Sequence, residues 1–406
     1  MKRWLIGIGV WIIFVGITWG DVGSKDLLDL AFAGVSKMPL NPHIKNRSRA
    51  QEKTIDVYLE LGEDRAAETK IKYIENWRRW MAFANLAHFY AKKGDGVAAE
   101  KVRDKVLVAL QMVDEIHSGK VLARTPSALI DSLEGWRYKN VRVRLYETDL
   151  LLGKKEVEGV LASLHLTEDL SASLAANRAV KNSIKYKDAM IQLSQLADTT
   201  NFEVIEYALV GMVRLADVHY QKINPSEWVE KELIIRLKHT PVFTKINVLE
   251  KMVKVALQHN DVGFAKKLCV MMEQYIHAAA LPVELRIVEK VRVIRLRLNA
   301  GSEANAKKQL DKLCFLYEQN LRSIVDINRA HILCRLAEAA WLAGEKKQAL
   351  SLYKKAIVAG QINPNSRPRA DALNEICCSM ARYFVPPTQD LFHQLQEMSA
   401  KLGRPW

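Results

Sequence analysis

The stretch LAEAAWLAGEKKQALSLYKKAIV, Leu336 to Val358, is a run of strong helix formers broken once, at Gly344. Leu336 stands eight residues before that glycine, and Ala349 and Ala356 follow it by five and twelve. The same frame fits Gly94, with Leu86, Ala99 and Val106, and Gly301, with Val293, Ala306 and Leu313. Gly62 gives Thr54, Ala67 and Ile74, and Asn260 gives Met252, Ala265 and Met272. Gly153 is a weaker frame, with Leu145 in place but Glu158 where the alanine should be. Glycine, and after it asparagine, tolerates left-handed backbone. Each frame therefore predicts a helix that stops in a left-handed cap and an antiparallel partner that starts at once. Asp95, Asp261 and Glu345 put negative charge at the start of the second helix, where the dipole favours it, and the small alanine lets the two helices approach.

Between the turns the apolar spacing is three and four, as in Leu86, Phe89 and Tyr90, and long stretches lack proline. Both features predict helix and leave no convincing strand. A single hairpin cannot bury its apolar face alone, so the expected fold is all-α: an α-solenoid of stacked antiparallel helical hairpins. The expected layout is a signal peptide or uncleaved anchor over 1–20, a leader and linker over 21–53, repeats over 54–384 and a capping helix with tail over 385–406. The linker is placed on the polar, proline-containing Ser36 to Lys53 segment, and the capping helix on TQDLFHQLQEMSAKL, with Leu391, Leu395 and Met398 on one face. The frames fit worst from about 160 to 245.

Leu336, Ala337, Gly344, Ala349, Tyr353 and Ala356, with Leu86, Ala87, Tyr90, Gly94 and Ala99, resemble the tetratricopeptide repeat. That resemblance implies a superhelix of hairpins that binds protein segments. The turns at Asn260, Gly301 and Gly344 are 41 and 43 residues apart, longer than the family's repeat of about 34 and inside the range of the longer helical repeats. The carboxylate clamp of some family members is not reproduced, since Leu86 rather than lysine follows Asn85.

MKRWLIGIGVWIIFVGITWG, at the start, has a basic end, an apolar run and small residues Thr18 and Gly20 before Asp21. It reads as an export signal or a signal anchor. The expected location is the bacterial periplasm or the outside, or the inner membrane facing the periplasm if the segment stays attached. Membrane contact is expected only in the second case, and nucleic acid is not an expected partner. The net charge of +14 and pI near 9.4 favour something anionic. Five cysteines without regular spacing, Cys269, Cys314, Cys334, Cys377 and Cys378, are expected to fill helix contacts rather than to form a disulfide framework.

No HExxH, GxSxG, Walker-type glycine loop or CxxC spacing occurs. The expectation is a non-enzymatic scaffold with no catalytic residue, metal or cofactor. Its candidate binding residues lie nine positions before each turn: Lys53, Asn85, Arg144, Lys251, Arg292 and Arg335, joined by Arg295. On the first helix of each hairpin this row would form a basic ladder along a groove, attracting a protein or peptide partner of acidic character. The same side chains would alternatively pair with acidic neighbours such as Glu147 or Glu338. A second candidate surface, for an anionic polymer or glycan, is Trp77, Trp80, Trp136 and Arg137.

Overall fold

The computed structural model describes residues 22–120, 122, 137–154, 175–176, 180 and 186–406. The N-terminal segment, whose sequence predicts an export signal, lies outside them. The described residues are helical and contain no strand. In chain order the helices are α1 (Ser24–Ser36), α2 (Leu40–Glu60), α3 (Asp64–Ile71), α4 (Arg78–Lys93), α5 (Gly96–His117), α6 (Tyr138–Leu151), α7 (Tyr186–Ala197), α8 (Phe202–Val218) and α9 (Pro225–Trp228). After a π-helical Val229–Ile234 segment come α10 (Ile235–Leu237), α11 (Val242–Gln258), α12 (Val262–Ala278), α13 (Val283–Asn299) and α14 (Glu303–Gln319). The last are α15 (Asp326–Leu342), α16 (Lys346–Gln361), α17 (Ser366–Arg382) and α18 (Gln389–Ala400). No helix among the described residues is long and apolar enough to cross a membrane.

The turn residue is left-handed in all six frames, although at Gly153 the second half of the frame, from 155 on, lies outside the described residues. Gly62, Gly94, Gly153, Gly301 and Gly344 have φ between 69° and 81°, and Asn260 has φ 59°. At Gly344 a built Cβ would meet nothing within 4 Å, so glycine is needed there for its backbone and not for space. The alanine five residues on is 0% exposed in all five frames, as close helix approach requires. Asp95 and Asp261 act more directly than through the dipole: their carboxylates cap the second helix, accepting from the backbone N–H of Ala98 and Phe264 at 3.0 Å. Across these turns α4 packs on α5, α11 on α12, α13 on α14 and α15 on α16.

Alternate helices also pack on one another. Contacts run α2 to α4 to α6, and again α8 to α11 to α13 to α15 to α17. The series then returns to its start, because α17 packs on α1 and α2. One apolar core accordingly joins both ends of the chain, with Leu28, Ala31 and Val35 of α1 beside Leu373 and Met380 of α17. The middle of the chain has its own core around Leu209, Met252 and Leu268. Polar contacts reinforce the return. The Asn374 side-chain amide donates to Ala50 O at 3.0 Å and Thr54 Oγ1 at 2.8 Å, Lys37 Nζ donates to Ser399 O at 2.6 Å, and Arg382 pairs with Glu60 at 2.6 Å.

This return explains why the Ser36 to Lys53 segment is not a linker. From Leu40 onward it is α2, interrupted only at Asn41, which is extended as the residue before a proline should be (φ −102°, ψ 120°). Its polar residues are structural. Gln51 is buried and donates to Ser36 Oγ at 2.9 Å, and Thr54 is buried and donates to Ala50 O at 3.1 Å. The C-terminal segment is helical as expected: Thr388 caps α18, and Leu391, Leu395 and Met398 are buried on α16 and α17. All five cysteines are unpaired. Cys378 donates to Asn374 Oδ1 at 3.2 Å, and burial pushes its thiol up to about 12. The poorly fitting region contains the π-helical segment, where a helix with i to i+5 bonding breaks a 3.6-residue frame.

Candidate functional site

A cavity of about 760 Å³ opens between α2, α4, α6, α8 and α11, in the size range of ligand sites. Its wall alternates charge. Arg78 pairs with Glu52 across α4 and α2, and Arg144 with Glu147 at 2.6 Å along α6. Glu206 accepts from Thr244 Oγ1 at 3.1 Å and Asn247 Nδ2 at 3.2 Å. Tyr207, 38% exposed, presents an aromatic ring from α8. Lys251, on α11, is exposed and makes no ion pair within 4 Å. The cavity therefore combines an aromatic group, one cation without an ion pair and two fixed charge pairs.

Two titratable groups nearby are displaced. Burial, then the charges of Arg144, Lys92 and Arg214, push His88 down to about 4, so it is neutral at ordinary pH. Burial, then Glu52 and Glu60 one turn away on either side, push Asp56 up to about 7 against the pull of Arg144 and Arg382. The ordinary value is 3.8, so between the two values the folded chain keeps a proton that the unfolded chain releases. Stability falls as pH rises through this window, with the penalty absent below about 4 and complete above about 7. Asp56→Asn should raise the melting temperature at pH 8 by about 2 °C or more and leave it unchanged at pH 4. Equal gains at both pH values would show that Asp56 is not in this environment.

The row of basic residues takes three different positions. Arg144 and Lys251 line the large cavity, Lys53 lines a second cleft, and Asn85 is half-buried on α4 outside both. The remaining rungs are tied up in ion pairs. Arg292 meets Glu250 at 2.7 Å and Glu289 at 3.1 Å, and its Nη1 donates to Asn247 at 3.0 Å. Arg295 meets Glu338 at 2.8 Å, and Arg335 meets Glu338 at 2.7 Å and also Glu375. Glu338 is 0% exposed and also accepts from Ser379 Oγ at 2.8 Å, which in turn accepts from Tyr353. Burial alone would raise Glu375, but the hydrogen bond from His331 and the charge of Arg335 outweigh it and hold the carboxyl down at about 2. The pairing with Glu147 and Glu338 is thus the one that occurs, within helices and across them.

The aromatic surface is also divided. Trp77 borders the large cavity but is 7% exposed, with the Arg78 and Arg137 guanidinium groups 4.6 and 5.6 Å from its ring. Little of its ring is open to stack a base or a sugar. Trp80 packs on Phe83, ring centroids 6.0 Å apart, and Trp136 lies outside the described residues. Among the histidines, His331 donates to Glu375 at 3.2 Å, and His259 contacts Asp217 at 2.8 Å while stacking on Tyr220. Among the described residues no cluster of three or more His, Cys, Asp or Glu is placed to hold a metal ion.

Several residues of these sites carry no sequence signal of their own. Tyr207 and Glu206 lie in the region where the frames fit worst, and Arg49 and Arg367 fall outside the row nine positions before each turn. Glu338 and Glu147 do carry one: each stands three residues after an arginine, the spacing of an ion pair on a helix.

No protein-family model matches the sequence, no curated protein matches it, and no solved structure matches it.

Proposed function

We propose that the chain is a tetratricopeptide-like scaffold, a stack of antiparallel helical hairpins closed by its own first helices, that binds a segment of a protein partner without catalysing a reaction. Export by the N-terminal segment would place it in the periplasm, or on the outer face of the inner membrane if that segment is retained. The observation that carries the partner reading is the large cavity between successive alternate helices, with Tyr207 and Lys251 accessible on its wall. An aromatic group beside fixed charge pairs suits an extended or helical peptide with mixed apolar and polar side chains. The ladder contributes less than its length suggests, because four of its arginines already have carboxylate partners. The burial of Trp77 weighs against the polymer or glycan alternative.

The test is retention of partners from crosslinked envelopes on the tagged full-length protein, compared with a Tyr207→Glu, Lys251→Glu double variant. Both side chains are exposed, so the variant should fold normally. A protein retained by the wild type and at least about tenfold depleted with the variant supports a partner in this cavity. Equal retention by the two would remove the cavity from partner binding.

A further inference from the structure

Where α2 meets α15 and α17 there is a second cleft, of about 330 Å³. Arg49 and Lys53 enter it from one face of α2, four residues apart, and Arg367 enters it from the first turn of α17. These three cations are exposed, and none forms an ion pair or a hydrogen bond. They differ in this from the arginines of the neighbouring inner helices, which are held by carboxylates. Two carboxylates also line the cleft. Glu375 is engaged by Arg335 and His331, and Asp371, raised by burial, is pulled back by the charges of Arg367, Lys53 and Arg49, so one carboxylate is shared among the three cations. Arg367 also stands at the end of α17 where the dipole disfavours a cation. The walls are held firmly, since Ala50 and Asn374, which both line the cleft, are joined by a buried hydrogen bond. The fold therefore gathers three like charges from opposite ends of the chain around the single carboxylate of Asp371, an excess of positive charge.

We propose that this cleft binds a phosphate group between Arg49, Lys53 and Arg367, and that the bound group ties the first helices of the chain to the last. A phosphate carries close to two negative charges at neutral pH and three acceptor oxygens, matching three cations better than a single carboxylate does. Guanidinium groups suit its geometry. The group is either free phosphate or the headgroup of an anionic lipid, and both present the same chemistry. The proposal does not depend on the protein partner, because it concerns the isolated chain.

Inorganic phosphate is titrated onto the full chain by calorimetry at low salt, and flotation is measured with vesicles containing phosphatidic acid and with neutral vesicles. The Arg49→Gln, Arg367→Gln variant should bind at least about tenfold more weakly, while Lys266→Gln, an exposed change elsewhere, should bind normally. Saturable binding of free phosphate supports the soluble source. Flotation with phosphatidic acid alone, lost in the double variant, supports the lipid source. If the double variant does not fold, Lys53→Met decides by the same criterion. Absence of binding to both probes, or equal binding by wild type and variant, overturns the proposal.

Discussion

Glu338→Gln should cost about 3 kcal/mol of folding stability, measured as a shift in denaturant midpoint. Glu338 is fully buried and accepts from Arg295, Arg335 and Ser379. Glutamine keeps the volume and one oxygen but removes the charge, leaving two guanidinium groups facing a neutral amide. Breaking a buried ion pair from one side leaves its partner's desolvation unanswered, which is costlier than never having built the pair. For that reason the Arg335→Met, Glu338→Met double variant should lose less than Glu338→Gln alone. Arg335 would still be served by Glu375 in the single variant, so the loss should stay below what an isolated buried charge would produce. A cost under about 0.5 kcal/mol would place Glu338 at an exposed surface and undo the inner ion-pair chain.

Leu373→Ala should cost about 2–5 kcal/mol, the range for removing a fully buried leucine. It should also loosen a helix more than three hundred residues away in sequence. Leu373 reaches across to α1 so closely that a methyl group built on Gly34 would lie 2.6 Å from its Cδ2. Truncation therefore opens a void between α17 and α1. Hydrogen exchange of the backbone amides over 24–36 should become faster in this variant, along with those of α17. Unchanged protection of 24–36 would mean that α1 does not depend on α17, and that the chain does not return on itself.

The turns were legible in the sequence because their requirement is chemical and local. A left-handed residue is favoured as glycine or asparagine, and close helix packing next to it favours alanine. Gly344, Asn260 and Ala349 show both requirements without reference to anything distant. The return of α1 and α2 onto α17 was not legible. It depends on contacts between helices at the two ends of the chain, which no local spacing encodes. Nor did local polarity reveal it: Gln51 looks like a solvated linker residue until Ser36 is placed beside it, and Thr54 carries no sign of its bond from Asn374.

The binding row was half legible. The position nine residues before each turn does fall on helices that pack on one another in series, and the three-residue spacing of Arg144 to Glu147 and Arg335 to Glu338 announces two of the pairs. The pairs between helices, Arg292 with Glu250 and Arg295 with Glu338, depend on the packing of α13 on α11 and α15 and were hidden. So was the convergence of Arg49, Lys53 and Arg367, which requires the two ends of the chain to meet.

Partner recognition inside the large cavity is tested most directly by placing a photoreactive phenylalanine derivative at Tyr207 and irradiating native envelopes. Val108, on α5 and 66% exposed, is the control position outside the cavity. A discrete protein adduct formed from position 207 and not from position 108 is the expected result. The same adducts from both positions, or none from position 207, would contradict a partner-binding cavity.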